Sequence, residues 1–145
     1  MMNQILTFIV SLLAILVFTT PMKSETSLKA LVERQATAWE TQDVTSLVGD
    51  FAPDAVFKAA NYTFNGTDAI QKAARDYFRN FTDTKVKIKR IIIEDNQGAV
   101  EWDWSDRNKK TGKRGAAEDA IIFATRDDGK ITYWREYIEK KKVKQ

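Results

Sequence analysis

Asp119 and Glu136 are the two side chains best placed for chemistry in this sequence. No histidine and no cysteine occur among its 145 residues. Imidazole bases, thiol nucleophiles, disulfides and thiolate or imidazole metal sites are therefore excluded. Carboxylates, lysines, tyrosines and water remain for acid–base work. Asp119 and Glu136 fall on two strands that read as adjacent and antiparallel, and they could face each other. Two carboxylates close together in an apolar wall do not both ionise cheaply, so one tends to keep its proton. An acid beside a base suits enolisation, dehydration or water activation. Equally, either could be paired with Arg114, Arg135 or a lysine, as buried charges commonly are. Trp102, Trp104 and Trp134 form a second constellation. They could stack on a flat apolar ligand. They could as well fill a core, and both roles stay open.

Charge narrows the partners. With 23 basic and 20 acidic residues the formal charge is +3, too balanced for a dedicated nucleic-acid binder. The basic stretch from Arg107 to Arg114 reads as a solvated hairpin tip, and the residues from Lys140 to Gln145 as a solubilising tail. Glu101 and Asp103 read as outward partners of Lys85, Lys87 and Lys89. No phosphate-cradling glycine loop and no metal-ligand spacing stands out, so no cofactor is expected.

The elements that must position these groups follow from periodicity. Ile5 to Phe18 is an uncharged apolar run, too short for a comfortable span of about 20 residues. Residues 1–24 therefore read as an export signal or, alternatively, a membrane anchor, and residues 25–145 as the folded domain. The protein is expected to be exported, with the membrane touched only through that segment. Leu28, Leu31, Val32, Ala38 and Trp39 recur at helical spacing, with Gln35 on the same stripe. Asp43 can cap a short second helix, which Pro53 ends. Ala55 to Ala60 reads as a strand, and Asn61 to Gly66 as a loop. Thr67 can cap a third helix carrying Ile70, Ala73, Ala74, Tyr77, Phe78 and Phe81. From Thr84 the period changes to two, giving four strands that turn near Asp95–Gly98, Asn108–Lys113 and Asp127–Gly129. Asn61, Asn65 and Asn80 each open an Asn-x-Thr sequon, a glycan acceptor only in a eukaryotic secretory pathway. Helices first and antiparallel strands afterwards read as α+β, with a curved sheet wrapped around the N-terminal helices as a cone. Both faces of the last strand are nearly equally apolar, because Ile131, Tyr133 and Tyr137 oppose Trp134 and Glu136.

The stretches Gly129 to Glu139, Glu118 to Phe123 and Val100 to Trp104 resemble the SnoaL-like branch of the nuclear transport factor 2-like superfamily. That resemblance implies a cone-shaped fold with a pocket at its open end and a homodimer paired through the exposed sheet face. It turns Val100, Trp102, Trp104, Asp119, Ile121, Phe123, Trp134, Glu136 and Ile138 inward. Phe57 and Tyr62 lie near the rim, and Gln35 enters from the first helix. Trp134-Arg135-Glu136 stands where epoxide hydrolases of this fold carry Trp-x-Asp. Their Arg-x-Asp is replaced by Trp102 and Trp104. The positions of the ketosteroid isomerase Tyr, general base and second Asp hold Gln35, Ala59 and Ile121. Scytalone dehydratases rely on histidines. The implied occupant is a small hydrophobic molecule such as an aromatic polyketide or a terpenoid. The domain is then either a cofactor-independent lyase, isomerase or hydrolase working through Asp119 and Glu136, or a non-catalytic binding or dimerising domain. In both cases Trp102, Trp104 and Trp134 would orient the ligand, with Gln35, Phe57, Tyr62, Ile121 and Phe123 around it.

Overall fold

The apolar stripe of the first helix decides where the core forms. In the computed structural model, which describes residues 25–143, that stripe lies on α1 (Glu25–Thr41). It buries Leu28, Leu31, Val32, Ala36, Ala38 and Trp39. The signal or anchor expected over residues 1–24 lies outside the described residues. α2 (Val44–Gly49) is capped as expected: Asp43 accepts from the Ser46 backbone N–H at 3.0 Å. β1 (Phe51–Ala59), β2 (Tyr62–Asn65) and α3 (Thr67–Asn80) follow, then β3 (Phe81–Glu94), β4 (Gln97–Asn108), β5 (Arg114–Thr125) and β6 (Ile131–Lys140).

The strands form one curved, unclosed six-stranded sheet in the order β2-β1-β6-β5-β4-β3. β1 runs parallel to β6, and every other pair is antiparallel. A mixed sheet covered on one face by helices is the α+β cone that the periodicity implied. The inner face meets α1, and its core is closed by Val100, Trp102, Ile121, Phe123, Ile131 and Trp134.

Three local expectations are corrected. Pro53 does not end the second helix; it lies inside β1, which begins at Phe51. The register with β6 shifts between Phe51 and Val56, an irregularity that tolerates a residue without an N–H. The expected loop from Asn61 to Gly66 contains β2, which pairs Tyr62 with Ala59 and Phe64 with Phe57. Thr67 is the first residue of α3 rather than its cap. Gly66 holds the cap position at φ 81°, with no side-chain bond.

The outer face carries the charge. Lys89 reaches Glu118 at 3.1 Å and Asp103 at 3.7 Å, and Arg90 reaches Glu101 at 3.8 Å. These exposed pairs are worth a few tenths of a kcal/mol to about 1 kcal/mol each. A register shift between Ile88 and Arg90 lets Val86, Ile88, Ile91 and Ile93 all pack against the core. The same shift leaves Ile92 exposed, with Ile122 and Tyr137, on the face to which the dimer expectation refers. Glu40 accepts from the Val86 N–H at 2.9 Å and ties the end of α1 to the sheet's edge strand.

Candidate active site

Strand alternation sets which side chains reach the concave face. On β5, Ala117, Asp119, Ile121 and Phe123 share one side. On β6 the inward set is Trp134, Glu136 and Ile138, so the structure resolves the facing that the sequence left open. Asp119 stands opposite Ile138, and Glu136 opposite Ile121. The two acids are therefore diagonal neighbours on adjacent strands, a relation that spans about 7–8 Å between backbones.

Each acid is held by one indole. Trp102 Nε1 donates to Asp119 Oδ2 at 3.1 Å, and Trp134 Nε1 donates to Glu136 Oε1 at 3.0 Å. Trp102 and Trp134 are themselves in contact, with ring centroids 5.9 Å apart. Among the described residues, neither acid takes part in an ion pair with a residue of opposite charge. Arg135 instead lies over the Tyr137 ring, 4.7 Å from its centroid. Asp119 is 4% exposed, and its Oδ1 has no hydrogen-bond partner among the described residues.

Burial without a cation penalises the charged forms. It raises the Asp119 carboxyl from 3.8 to about 6, opposed by the Trp102 N–H. It raises Glu136 from 4.5 to about 8, opposed by the Trp134 N–H and reinforced by the Asp119 charge. Part of Glu136 still meets solvent, and the chemistry below needs only that it ionises after Asp119.

A cavity of about 500 Å³ opens beside this pair. Phe57, Tyr62, Trp104, Asp119 and Glu136 line it, all of them expected there. Tyr62 is the exposed rim. Trp102, Trp134, Ile121 and Phe123, expected at the ligand, are instead packed solid in the core, and none lines the cavity. Trp102 and Trp134 act on it only through the N–H groups they give to the acids. A second depression of about 650 Å³, more open to solvent, is lined by Glu101, Glu118, Arg135 and Tyr137 and also by Asp119, Glu136 and Ile138.

Gln35 is a further correction. It is fully buried, but its Nε2 donates to Leu47 O at 3.0 Å and to Asp50 Oδ2 at 3.1 Å. Asp50 also pairs with Arg34 at 2.9 Å. This amide ties α1 to the end of α2 and does not line the cavity. Gln35→Ala is therefore expected to lower stability by about 1–3 kcal/mol in urea unfolding, by orphaning a buried carbonyl. Binding at the cavity should be unchanged in the same variant.

Sequence reasoning missed a polar cluster elsewhere in the lining of the same cavity. Tyr77 Oη donates to Asp106 Oδ2 at 2.8 Å, while Trp104 Nε1 donates to Tyr77 Oη at 3.1 Å and to Asp106 Oδ2 at 3.3 Å. Burial pushes the Tyr77 phenol above its ordinary value, so it remains a donor. A Cβ on Gly115, across the β4–β5 ladder, would lie 2.6 Å from Asp106 Oδ1. A side chain at position 115 would require that carboxyl to shift. The available signal was Trp104-Ser105-Asp106, which repeats the tryptophan-x-acid spacing of Trp134-Arg135-Glu136. The expected basic tail is also corrected at its start. Lys140 completes β6, and Lys141 is fixed by Glu118 and Glu139 at 3.2 Å each; both stand at the cavity.

A curved, unclosed mixed sheet with N-terminal helices is the nuclear transport factor 2-like fold. Within that class the chain belongs to the SnoaL-like domain family, whose model matches residues 32–134. Among curated proteins, none matches the chain. The fold recurs in a protein of ketosteroid isomerase-like fold from Catenulispora acidiphila, solved in complex with trimethylamine. That likeness has a TM-score of 0.68 at 21% identity, over 74% of this chain and 83% of the other. It recurs in TsrD from Streptomyces laurentii, with a TM-score of 0.70 at 16% identity over 80% and 90% of the two chains. An epoxide hydrolase from M. tuberculosis matches at 0.67 and 21% identity, over 76% and 80%. At these identities the likeness is one of fold.

Proposed function

We propose that the cavity binds a small, largely apolar molecule and that Asp119 and Glu136 exchange protons with it. One observation carries this reading: two carboxyl groups line one cavity, each held by a single indole N–H and, among the described residues, neither by a cation. Near pH 7 Asp119 is mainly carboxylate and Glu136 mainly acid. A ligand C–H or O–H placed between them would pass its proton to Asp119. Glu136 would protonate the ligand oxygen or carbon that gains the electron pair. In an isomerisation Asp119 then returns its proton to another carbon while Glu136 takes back the O–H proton, and both groups are restored with no co-product; in a dehydration Glu136 protonates the departing hydroxyl, water leaves, and the proton on Asp119 returns to Glu136 through solvent. Trp104, Phe57 and Tyr62 supply flat apolar surface for orientation. The epoxide hydrolase precedent transfers only as far as the tryptophan-x-acid spacing on the last strand.

Native mass spectrometry of the protein purified from its own host tests the binding half. A retained small molecule is the expected result, lost when Trp104→Ala opens the aromatic wall. The reading fails if the protein carries nothing and its tryptophan emission is unmoved by a panel of aromatic and terpenoid probes.

A further inference from the structure

Every acid that lines the cavity is held by a tryptophan. Trp104 Nε1 donates to Asp106, Trp102 Nε1 to Asp119 and Trp134 Nε1 to Glu136. The two indoles behind the proton-exchanging pair are wholly buried, packed together and absent from the lining. They reach their acids by different routes. Trp102 stands directly opposite Asp119 in the β4–β5 register, and its N–H crosses between strands. Trp134 precedes Glu136 by two residues on β6, so strand alternation puts both side chains on one face. Among the described residues, each N–H is the one hydrogen-bond donor its acid has. An N–H favours the ionised form of the carboxyl it meets, because a carboxylate is a stronger acceptor than a carboxylic acid.

We infer that Trp102 and Trp134 are positioning residues with opposed effects: the Trp102 N–H holds Asp119 ready as the base, while the Trp134 N–H limits how firmly Glu136 keeps its proton. The first widens, and the second narrows, the pH interval in which Asp119 is carboxylate while Glu136 is acid. This deepens the functional reading above and rests on it for the roles of the two acids. The other titratable groups of the lining are Tyr62, Tyr77, Asp106, Lys140 and Lys141. Asp106 is tied to Tyr77 and Trp104, and Lys141 to Glu118 and Glu139. Glu101, Glu118, Arg135 and Glu139 alternate to the opposite face of the sheet. The two indoles are therefore the groups that act on the pair by direct contact.

The test follows the side-chain carboxyl carbon-13 resonances of the full chain, without ligand, from about pH 4 to about pH 10. In the wild type the midpoints are expected at about 6 for Asp119 and about 8 for Glu136. Trp102→Phe should raise the Asp119 midpoint by about one pH unit and narrow the gap between the two. Trp134→Phe should raise the Glu136 midpoint by about the same amount and widen the gap. Phe123→Leu loosens the same core beside Trp134 without removing a hydrogen bond from either acid, and should move neither midpoint. If a tryptophan variant does not fold, 3-benzothienylalanine at that position keeps the indole shape with sulfur in place of the N–H and makes the same comparison. Unmoved midpoints, a gap that changes in the same direction in both variants, or an equal shift in Phe123→Leu overturns the inference. The expected shifts in a protein whose cavity takes up no probe would uphold the action of the indoles on the acids and overturn the functional reading alone.

Discussion

In the paired variant Asp119→Asn with Glu136→Gln, stability stays nearly constant between pH 5 and about pH 9, whereas the wild type loses several kcal/mol over the same range. The sign follows from the direction of both shifts. Each carboxyl has a folded pKa above its unfolded one, so the folded state binds the proton more tightly. The resulting stability is complete below about pH 4. It is lost as pH rises through about 6 for Asp119 and about 8 for Glu136. A rise from 3.8 to about 6 corresponds to about 3 kcal/mol when Asp119 ionises, and Glu136 adds in the same direction. The acid limb has a different origin. Hydrogen bonds from Ser46 hold Asp43 below its ordinary value, and those from Lys72, Lys89 and Lys130 hold Asp76, Glu118 and Asp128 down. Their contribution disappears as pH falls below about 4, in the variant as in the wild type. Urea midpoints across pH measure this. A wild type whose stability is flat or rising from pH 5 to 9 would show that the two acids are solvated or paired.

The second large effect is on turnover. If the acids transfer protons, kcat/KM for the converted ligand rises with pH as Asp119 deprotonates near 6. It falls as Glu136 deprotonates near 8, giving a bell centred near pH 7. The limbs belong to the coupled pair rather than to isolated residues, because the Asp119 charge itself raises Glu136. Asp119→Asn is expected to cost about 10²- to 10⁴-fold in turnover and to erase the acid limb. Glu136→Gln should cost a similar factor and erase the alkaline limb. Binding should survive both changes, since the aromatic wall is untouched. Turnover undiminished in either variant would move the chemistry elsewhere. The Tyr77–Asp106 pair would then be the next place to look.

Much of the architecture was legible because it depends on periodicity. The stripe from Leu28 to Trp39 and the alternation of β4 survive in almost any packing. Other features depend on partners distant in sequence. Pro53 looked like a helix stop, yet it sits in a register irregularity that only the parallel partner β6 creates. Tyr62 to Asn65 carries turn residues and becomes a strand because β1 offers it an edge. Polarity on the α1 stripe marked Gln35 as a pocket residue. Its two acceptors on α2 and just beyond it could not be seen without the fold. The acids were found because both fall on strands that read as adjacent and antiparallel, where they could face each other. Their indole partners had been assigned to the ligand, since sequence does not distinguish a tryptophan that touches a guest from one that holds the residue touching it. The Tyr77–Asp106 cluster joins the last turn of a helix to the end of a strand, which no spacing rule connects.

The parallel pairing of β1 with β6 also bears on how the chain comes off the ribosome. Among the described residues the earliest strand is flanked by the latest, so the three helices and the hairpin described before β3 emerge without the rest of the sheet to lie on. Contacts of such long sequence separation form slowly. Trp134 and Glu136 arrive only with the final strand. A nascent chain halted before Ile131 would expose the apolar faces of α1 and β5 together, making premature termination an aggregation hazard rather than a mild truncation.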